Sequence, residues 1–398
     1  MTATGDSNSG ENQALSEELL NRCRERAPGY DAENRFFSED FKELKEAGYT
    51  KINVPKEFGG LGKSLAEVCH EQRRLAMYAP ATALAINMHL YWCGVAADLL
   101  RGGDGSLRWM LEEAGKGRIF AAGHAEGGND WPLIQSTAKA EKVDGGYRIN
   151  GRKSFGSLTP VWDYLGVHAK DESDPENPKI VHAFIPRDSE GISIVETWDT
   201  LGMRATRSDD TILDNVFVAD EHVGRVVPAG WAGIDFFVLA IFAWSQPTFG
   251  NIYYGNALRA FELAVAMIKD KNSVSMQRTM AHNAEVQHAV AKMALDLEGI
   301  GPHLDKVAED WSNGVDHGPA WGLKLVGAKY HATNTSYRVV DRALEVAGGY
   351  GIFRRSGMER IFRDARLGPV HPANNWLAHE FFAKAILGID LDSQPRWG

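Results

Sequence analysis

The stretch E-V-A-G-G-Y-G-I-F-R-R-S-G-M-E-R-I-F-R-D-A-R-L-G-P-V-H-P, residues 345–372, decides the fold of this chain. A glycine-rich turn at Gly348, Gly349 and Gly351 follows the end of a helix, and a charged helix ending in F-R-D-A-R comes next. The backbone N–H groups of such a turn, with the start of the next helix, suit an anionic group such as a pyrophosphate. The stretch then reaches His371 without a further acidic residue.

Size and composition limit the classes of protein that this chain can represent. Its 398 residues predict two or three subdomains. A net charge of −10 argues against a nucleic-acid partner. The three scattered cysteines indicate a reducing compartment, and neither a disulfide framework nor a metal site is predicted. The polar N-terminus and the short apolar runs predict no membrane insertion, so we expect a cytoplasmic location.

The periodicity of apolar residues changes twice along the chain. Residues 1–117 have a helical pattern, in which Ser38 is a predicted N-cap. Residues 118–227 form short alternating segments separated by Gly, Pro, Asp and Asn, and the Asp144-Gly145-Gly146 cluster between two of them is a hairpin signal. Residues 228–398 are helical again. We therefore predict an α+β fold that is mainly α. It has an N-terminal helical domain, a central β-barrel-like domain of seven or eight strands and a C-terminal four-helix bundle.

Four further segments support a family resemblance. They are G-Y-T-K-I-N-V-P-K-E-F-G-G-L-G (48–62), F-A-A-G-H-A-E-G-G-N-D (120–130), G-R-K-S-F-G-S-L (151–158) and W-D-T-L-G-M-R-A-T-R-S-D-D-T-I-L-D-N-V-F-V (198–218). With residues 345–372, they make nearly the whole chain resemble the acyl-CoA dehydrogenase superfamily of flavoproteins. The resemblance implies FAD, with FMN as the alternative, an electron-transfer partner, a role in fatty acid metabolism, and a homotetramer or a dimer.

The resemblance also assigns residues to the cofactor and the substrate. In the family, an aromatic residue at the position of Phe155 packs on the flavin and the hydroxyl at Ser157 hydrogen-bonds its ring. The cofactor-binding residues implied in this way are Phe120, Gly123, Phe155, Ser157, Gln287, Gly348, Gly349 and Gly351. The substrate-binding residues implied are Asn129, Ser245 and Gln246.

The usual catalytic base of the family is absent. A Tyr-Glu-Gly-Thr run normally follows the R-D-A-K/R helix, and its glutamate removes the substrate's α proton. Here His371 and residues 372–374 take those places, and the alternative base position on the first bundle helix holds Ser245 and Gln246. An unperturbed histidine pKa of ~6.5 would suit a base, so His371 is the predicted catalytic residue, with a surface histidine as the alternative.

Two other histidines and one carboxylate are alternatives for the same role. His379 and Glu380 lie on the next predicted helix and are further candidates. His89 lies on a predicted buried helix, where a core histidine is the favoured interpretation.

Three functions fit this sequence. The first is α,β-dehydrogenation of an acyl-CoA thioester with hydride transfer to FAD. The second resembles the two-component flavin monooxygenases, which use oxygen and reduced flavin from a reductase, and which share the Phe-x-Ser motif and a histidine after the R-D-x-R helix. The third is a catalytically weak flavin-binding scaffold.

Overall fold

The computed structural model describes residues 14–393, and its first part is helical. Ser16 begins the first helix as its N-cap, because its side chain accepts a hydrogen bond from the backbone N–H of Leu19. The predicted cap at Ser38 is displaced by one residue, since Ser38 is the first helical residue and Phe37 precedes it. The helices are α1 (Glu17–Ala32), α2 (Ser38–Glu46), α3 (Leu65–Tyr78), α4 (Pro80–Arg101) and α5 (Arg108–Gly115).

The helix α4 is the apolar centre of this first part. Nearly every one of its residues is buried, as the all-round apolar pattern predicts. By length and composition it could span a membrane, but 94% of the apolar window is buried inside the protein, as in the core helix of a globular fold. The favoured interpretation of His89 is confirmed, since it lies in this core and its Nε2 is 2.8 Å from the carbonyl oxygen of Thr50.

The central part is one mixed sheet of eight strands. Their order is β6-β7-β3-β2-β4-β5-β8, and β1 pairs in parallel with β4. The hairpin signal at Asp144 and Gly145 is confirmed, because the antiparallel strands β2 and β3 flank these two residues. The strands are β1 (Phe120–Gly123), β2 (Lys139–Val143), β3 (Gly146–Gly156), β4 (Tyr164–Asp171), β5 (Lys179–Pro186), β6 (Ile192–Val195), β7 (Asp209–Ala219) and β8 (Val223–Pro228).

The last part is a helical bundle. Three long helices, α6 (Phe236–Asp270), α7 (Ala284–Ser312) and α8 (Trp321–Ala347), share a buried apolar cluster, and two shorter helices, α9 (Met358–Arg366) and α10 (Asn375–Leu387), complete it. A small pair of two-residue strands, β9 (Asn272–Ser273) and β10 (Arg278–Thr279), lies between α6 and α7.

The helix α9, which contains F-R-D-A-R, joins all three parts. The guanidinium of Arg363 donates to both carboxylate oxygens of Asp31 on α1, at 2.9 and 2.6 Å, and to the carbonyl oxygen of Leu201. The next residue, Asp364, accepts the backbone N–H of Met203 at 2.5 Å. The bidentate ion pair of Arg363 with Asp31 and the buried carboxylate of Asp364 therefore hold the bundle against both other parts of the protein. These contacts explain why the F-R-D-A-R motif is important for the fold.

Candidate functional site

A bulge at the end of β3 turns Phe155 outwards. Lys153 pairs with Thr211 of β7 and Gly156 pairs with Asp209, so β3 has one extra residue in this interval. Phe155 has a φ of +57°, and its side chain is 60% exposed. Bulges and left-handed backbone at non-glycine residues occur often beside functional sites, where they re-aim a side chain. The bulge thus presents an aromatic face at the surface, as the family resemblance requires of Phe155.

Three hydroxyls beside this bulge form a directed chain, here called the hydroxyl cluster: Ser157, Ser208 and Thr206. Thr206 Oγ1 donates to the carbonyl oxygen of Met203 at 2.8 Å, because a carbonyl can only accept. Ser208 Oγ lies 2.7 Å from Thr206 Oγ1, and Ser157 Oγ lies 2.7 Å from Ser208 Oγ. With all three bonds made, Ser208 donates to Thr206 and Ser157 donates to Ser208. Ser157 is left with acceptor lone pairs, which suit a ligand that carries an N–H donor.

The loop after β1 is held by a buried ion pair. Lys153 Nζ is 2.5 Å from Glu126 Oε1, and both side chains are almost completely buried. Burial lowers the pKa of Lys153 to about 8 against the attraction of Glu126. Burial opposes ionisation of Glu126 too, but the Lys153 charge and several hydrogen bonds keep its pKa below the usual value. The ion pair fixes the loop after β1, which the family resemblance places beside the flavin ring.

Two residues with predicted ligand contacts have protein partners here. The Asn129 amide donates to Glu126 at 2.9 Å and to the carbonyl oxygen of Gln135 at 2.7 Å, so both of its hydrogens serve the loop. The Phe120 side chain is fully buried and packs against Tyr164 in the aromatic core. The substrate contact of Asn129 and the cofactor contact of Phe120 stay predictions. All four residues of β1 are buried, so its sequence does not alternate between apolar and polar residues. The sequence therefore does not show which side chains of β1 face the core.

Gly123 ends β1 within the same core. A Cβ atom there would lie 3.3 Å from the side chain of Leu165, so the strand passes close to its neighbour. Its predicted cofactor contact stays a prediction.

The histidine that follows α9 lies in a segment built by a buried lysine. Residues 368–374, here called the His371 segment, receive three hydrogen bonds from Lys329 Nζ of α8: to the carbonyl oxygens of Gly368 at 2.9 Å, His371 at 2.6 Å and Ala373 at 2.8 Å. The lysine is fully buried. Burial lowers its pKa to about 7.

The environment of His371 makes it a weak base. Its ring packs edge-on against Phe249, with ring centroids 4.3 Å apart, and its Nδ1 is buried without a partner among the described residues. Burial, with the positive charge of Lys329, lowers the pKa of His371 to about 3. The imidazole is therefore neutral at physiological pH, and it takes up a proton far less readily than the unperturbed histidine that we expected.

The structure brings the predicted residues of α6 to this segment. The Gln246 side chain accepts the backbone N–H of Ala373 at 3.3 Å and donates to Ser245 Oγ at 3.2 Å. Both residues are buried, and Phe249 lies one turn further along the helix. The predicted catalytic residue, His371, and the predicted substrate-binding residues, Ser245 and Gln246, are therefore neighbours in the structure.

The other candidate bases have different partners. His379 Nε2 is 2.9 Å from the hydroxyl of Tyr330, and Glu380 forms an ion pair with Lys384 at 2.9 Å. Both lie on α10, after the His371 segment.

The glycine turn lies far from this group. Ala347 lies eighteen positions after Lys329 on α8, which corresponds to about 27 Å along the helix axis. Gly348, Gly349 and Gly351 follow that end, and Gly348 lies near Lys271 Nζ. Gln287, near the start of α7, is exposed and donates to the carbonyl oxygen of Ala281. The glycine turn therefore lies at the opposite end of α8 from the His371 segment.

Sequence reasoning missed Lys329, the Lys153–Glu126 pair and the role of Asp364. Lys329 left one signal, because it stands at the spacing of the buried residues Leu325, Ala332 and Ser336 on the apolar face of α8. Among the described residues, no group of three or more His, Cys, Asp and Glu side chains is arranged to hold a metal ion.

Comparison with known proteins assigns the family. Models of the acyl-CoA dehydrogenase N-terminal, middle and C-terminal domains match residues 12–105, 120–216 and 248–376. The chain belongs to the acyl-CoA dehydrogenase family. This is a family of flavoproteins, and its three domains match the helical, β and helical parts in order.

Individual relatives of this acyl-CoA dehydrogenase family member have different chemistries. The putative acyl-CoA dehydrogenase YdbM of Bacillus subtilis (strain 168) is 29% identical, over 89% of this chain and 91% of its own length. The amino sugar nitrososynthase DnmZ of Streptomyces peucetius is 26% identical, over 93% of each chain. The structure of KijD3 with FMN and a dTDP-amino sugar has a TM-score of 0.82 at 23% identity, covering 95% of this chain and 93% of that one, which shows the shared fold.

The residues beside the bulge fit a flavin. Phe155 offers an exposed aromatic face for a flat ring, and the hydroxyl cluster offers an acceptor for a ring N–H at its Ser157 end. A flavin bound there would supply two-electron redox chemistry to a substrate bound beside it.

Proposed function

We propose that this protein is a flavin-dependent monooxygenase that acts on a small organic molecule with oxygen and reduced flavin. One observation carries the proposal: the residue in the position of the family's base is His371, a half-buried imidazole that packs edge-on against Phe249 in the segment held by the cation Lys329, an environment that lowers its pKa to about 3. The aromatic side chains of Phe249 and Tyr253 lie beside its ring, and the charged group that acts on its pKa is the cation Lys329.

Dehydrogenation of a thioester needs a base that can take a proton from carbon. The efficiency of a general base falls as the pKa of its conjugate acid falls below the working pH. Because its pKa lies well below the usual histidine value, His371 is almost entirely deprotonated at pH 7 and is poorly suited to hold an abstracted α proton. A neutral imidazole can still donate or accept a hydrogen bond, which is what an oxygen-transfer site requires of it.

The polarity of the hydroxyl cluster supports the same proposal. Ser157 presents lone pairs, and a reduced flavin ring carries one N–H more than the oxidised ring at its central position. We therefore propose that Phe155 and Ser157 hold the ring, with Gly123 beside it, and that Ser245, Gln246 and His371 line the substrate side. The reduced flavin would supply two electrons, so that one atom of O2 enters the substrate and the other leaves as water.

The remaining residues and partners follow from this proposal. Gln287 and the glycine turn (Gly348, Gly349 and Gly351) are proposed to contact the cofactor of a second subunit, because α8 separates them from His371. FMN or FAD is supplied by a flavin reductase, and the assembly is proposed to be a homotetramer.

Acyl-CoA dehydrogenation is the second candidate. It is favoured by the similarity to the putative acyl-CoA dehydrogenase of Bacillus subtilis, which is the highest identity among the relatives described above. In that case FAD would stay bound as the hydride acceptor, an electron-transfer protein would be the partner, and fatty acid metabolism would be the setting.

One experiment separates the candidates. The purified protein is loaded with flavin and divided between two assays: anaerobic addition of a panel of saturated acyl-CoA thioesters, and aerobic turnover with a flavin reductase and candidate amines, sulfur compounds and aromatic compounds under 18O2. Label in a product establishes the monooxygenase. Bleaching of the oxidised flavin by a thioester establishes the dehydrogenase and overturns our proposal. Tight flavin binding with neither result indicates the catalytically weak scaffold.

A further inference from the structure

The His371 segment is organised by a single side chain that neither family motif nor the proposed chemistry uses. An ammonium group has three N–H donors in tetrahedral arrangement, and Lys329 places all three on carbonyl oxygens of this segment. These carbonyls belong to Gly368, His371 and Ala373, so the bonds span the segment from its beginning nearly to its end. Among the hydrogen bonds of the described residues, no other side chain donates to more than one carbonyl of the segment.

We infer that Lys329 is a positioning residue, which fixes the backbone of the His371 segment and thereby places the His371 ring at the site. The inference deepens the proposed function, and it rests on that function only for the claim that His371 faces the reacting substrate.

Lys329 is buried, and no acidic side chain among the described residues forms a salt bridge with it. The side chain is fully buried on α8, and burial is the one influence on its pKa, with no acidic side chain acting on it. A buried charge without a counter-ion is costly, so it persists only where dipoles replace the lost water. The three carbonyl oxygens are those dipoles.

The second partner of the segment acts at one point only. Gln246 of α6 accepts the backbone N–H of Ala373 at 3.3 Å, which is longer than any of the three Lys329 bonds. The ring of His371 then fills the space beside Phe249 of the same helix. Helix α8 therefore sets the path of the backbone, and α6 receives the ring.

The charge of Lys329 has a second effect on the histidine. A cation near an imidazole disfavours a second positive charge, and Lys329 is the one charged group that acts on the pKa of His371. Other titratable residues on the elements packed around this pair are Tyr253 on α6, Tyr330 on α8 and three residues of α10: His379, Glu380 and Lys384, of which the last two form an ion pair. A change at Lys329 should thus alter both the order of the segment and the titration of His371.

The test uses Lys329→Met and Lys329→Arg, with Lys324→Met as the matched control on an exposed position of the same helix. Hydrogen exchange of residues 367–375 reports on the backbone, and NMR of the labelled His371 ring, assigned with His371→Gln, reports on its titration. In Lys329→Met we expect exchange in this segment to become at least tenfold faster. We also expect the His371 pKa to rise by roughly one unit or more.

The two variants separate positioning from general stability. Arginine keeps the positive charge, but its planar donors cannot meet three converging carbonyls, so Lys329→Arg should speed exchange while the His371 pKa stays low. If Lys329→Met does not fold, Lys329→Arg alone decides. Unchanged exchange in every folded variant, or an unchanged His371 titration in folded Lys329→Met, overturns the inference. None of these readouts requires turnover, so a failure of the proposed monooxygenase reaction would be seen separately.

Discussion

Replacing Thr206 with valine removes the hydroxyl that sets the polarity of the hydroxyl cluster while keeping the shape of the side chain. Thr206 Oγ1 donates to the carbonyl oxygen of Met203, which also receives Trp198 Nε1 at 3.3 Å and so keeps a partner. In the variant, Ser208 loses its acceptor, and the Ser157–Ser208 pair can reverse direction. Ser157 would then donate or accept with similar ease.

The magnitude follows from the value of one neutral hydrogen bond. Such a bond contributes about 1 kcal/mol, which corresponds to about fivefold in a dissociation constant. We expect the wild type to bind reduced flavin more tightly than oxidised flavin. In Thr206→Val, the ratio of the dissociation constants for oxidised and reduced flavin should fall about fivefold. Ser157→Ala removes the acceptor itself, so it should abolish the part of the preference for reduced flavin that comes from the Ser157 hydroxyl.

The assay is anaerobic titration with oxidised and with reduced FMN, followed by fluorescence or calorimetry. Thr211→Val is the matched control, because Thr211 Oγ1 on the neighbouring strand is buried with no hydrogen-bond partner among the described residues. Equal weakening of the binding of oxidised and reduced flavin in Thr206→Val would contradict this explanation. A Thr211→Val control that changes the preference for reduced flavin by as much would contradict it too. The explanation would also fail if the wild type prefers the oxidised flavin.

Three further changes have defined outcomes. Lys153→Met leaves Glu126 buried without its cation, so it should lower the free energy of unfolding in urea by about 3 kcal/mol. Adding Glu126→Gln removes the unpaired charge but should restore only part of that loss, because both carboxylate oxygens accept backbone N–H groups, from Thr137 and Ala138. Burial raises the pKa of Asp364 to about 6 from an unfolded value of 3.8, so the folded protein binds more protons in that window and its stability falls as pH rises through it. Asp364→Asn, which keeps an acceptor for Met203, should flatten the stability–pH curve between about pH 4 and 6. Phe155→Ala should change stability by less than about 0.5 kcal/mol, because the side chain is 60% exposed, yet weaken flavin binding about fivefold or more.

The sequence predicted those features that local pattern controls. The change of period from helix to strand and back gave the order of the three parts, and the Asp144–Gly145 turn marked its hairpin. A bundle of four long helices was expected, and the structure has three long and two short ones, because the stretch after Ala347 is divided by glycine turns. The Phe155 position came from the resemblance to a family motif.

The features that sequence reasoning missed depend on pairs distant in the chain. The bulge that exposes Phe155 exists only through the pairing of β3 with β7, some sixty residues away, and single-strand alternation cannot show it. Lys329 lies more than thirty residues before the carbonyls that it holds, so its role requires the fold. For the same reason an unperturbed pKa was assumed for His371, whereas burial beside a cation changes it.

The central claim is that the family's base position holds a neutral, weakly basic histidine, and the titration of the His371 ring in the wild-type protein tests it most directly. NMR of the ring Cε1–H, with His371→Gln for assignment, should show no titration between pH 5 and 8, in agreement with a pKa of about 3. A midpoint between pH 6 and 7 would contradict the claim and would restore His371 as a candidate base for dehydrogenation.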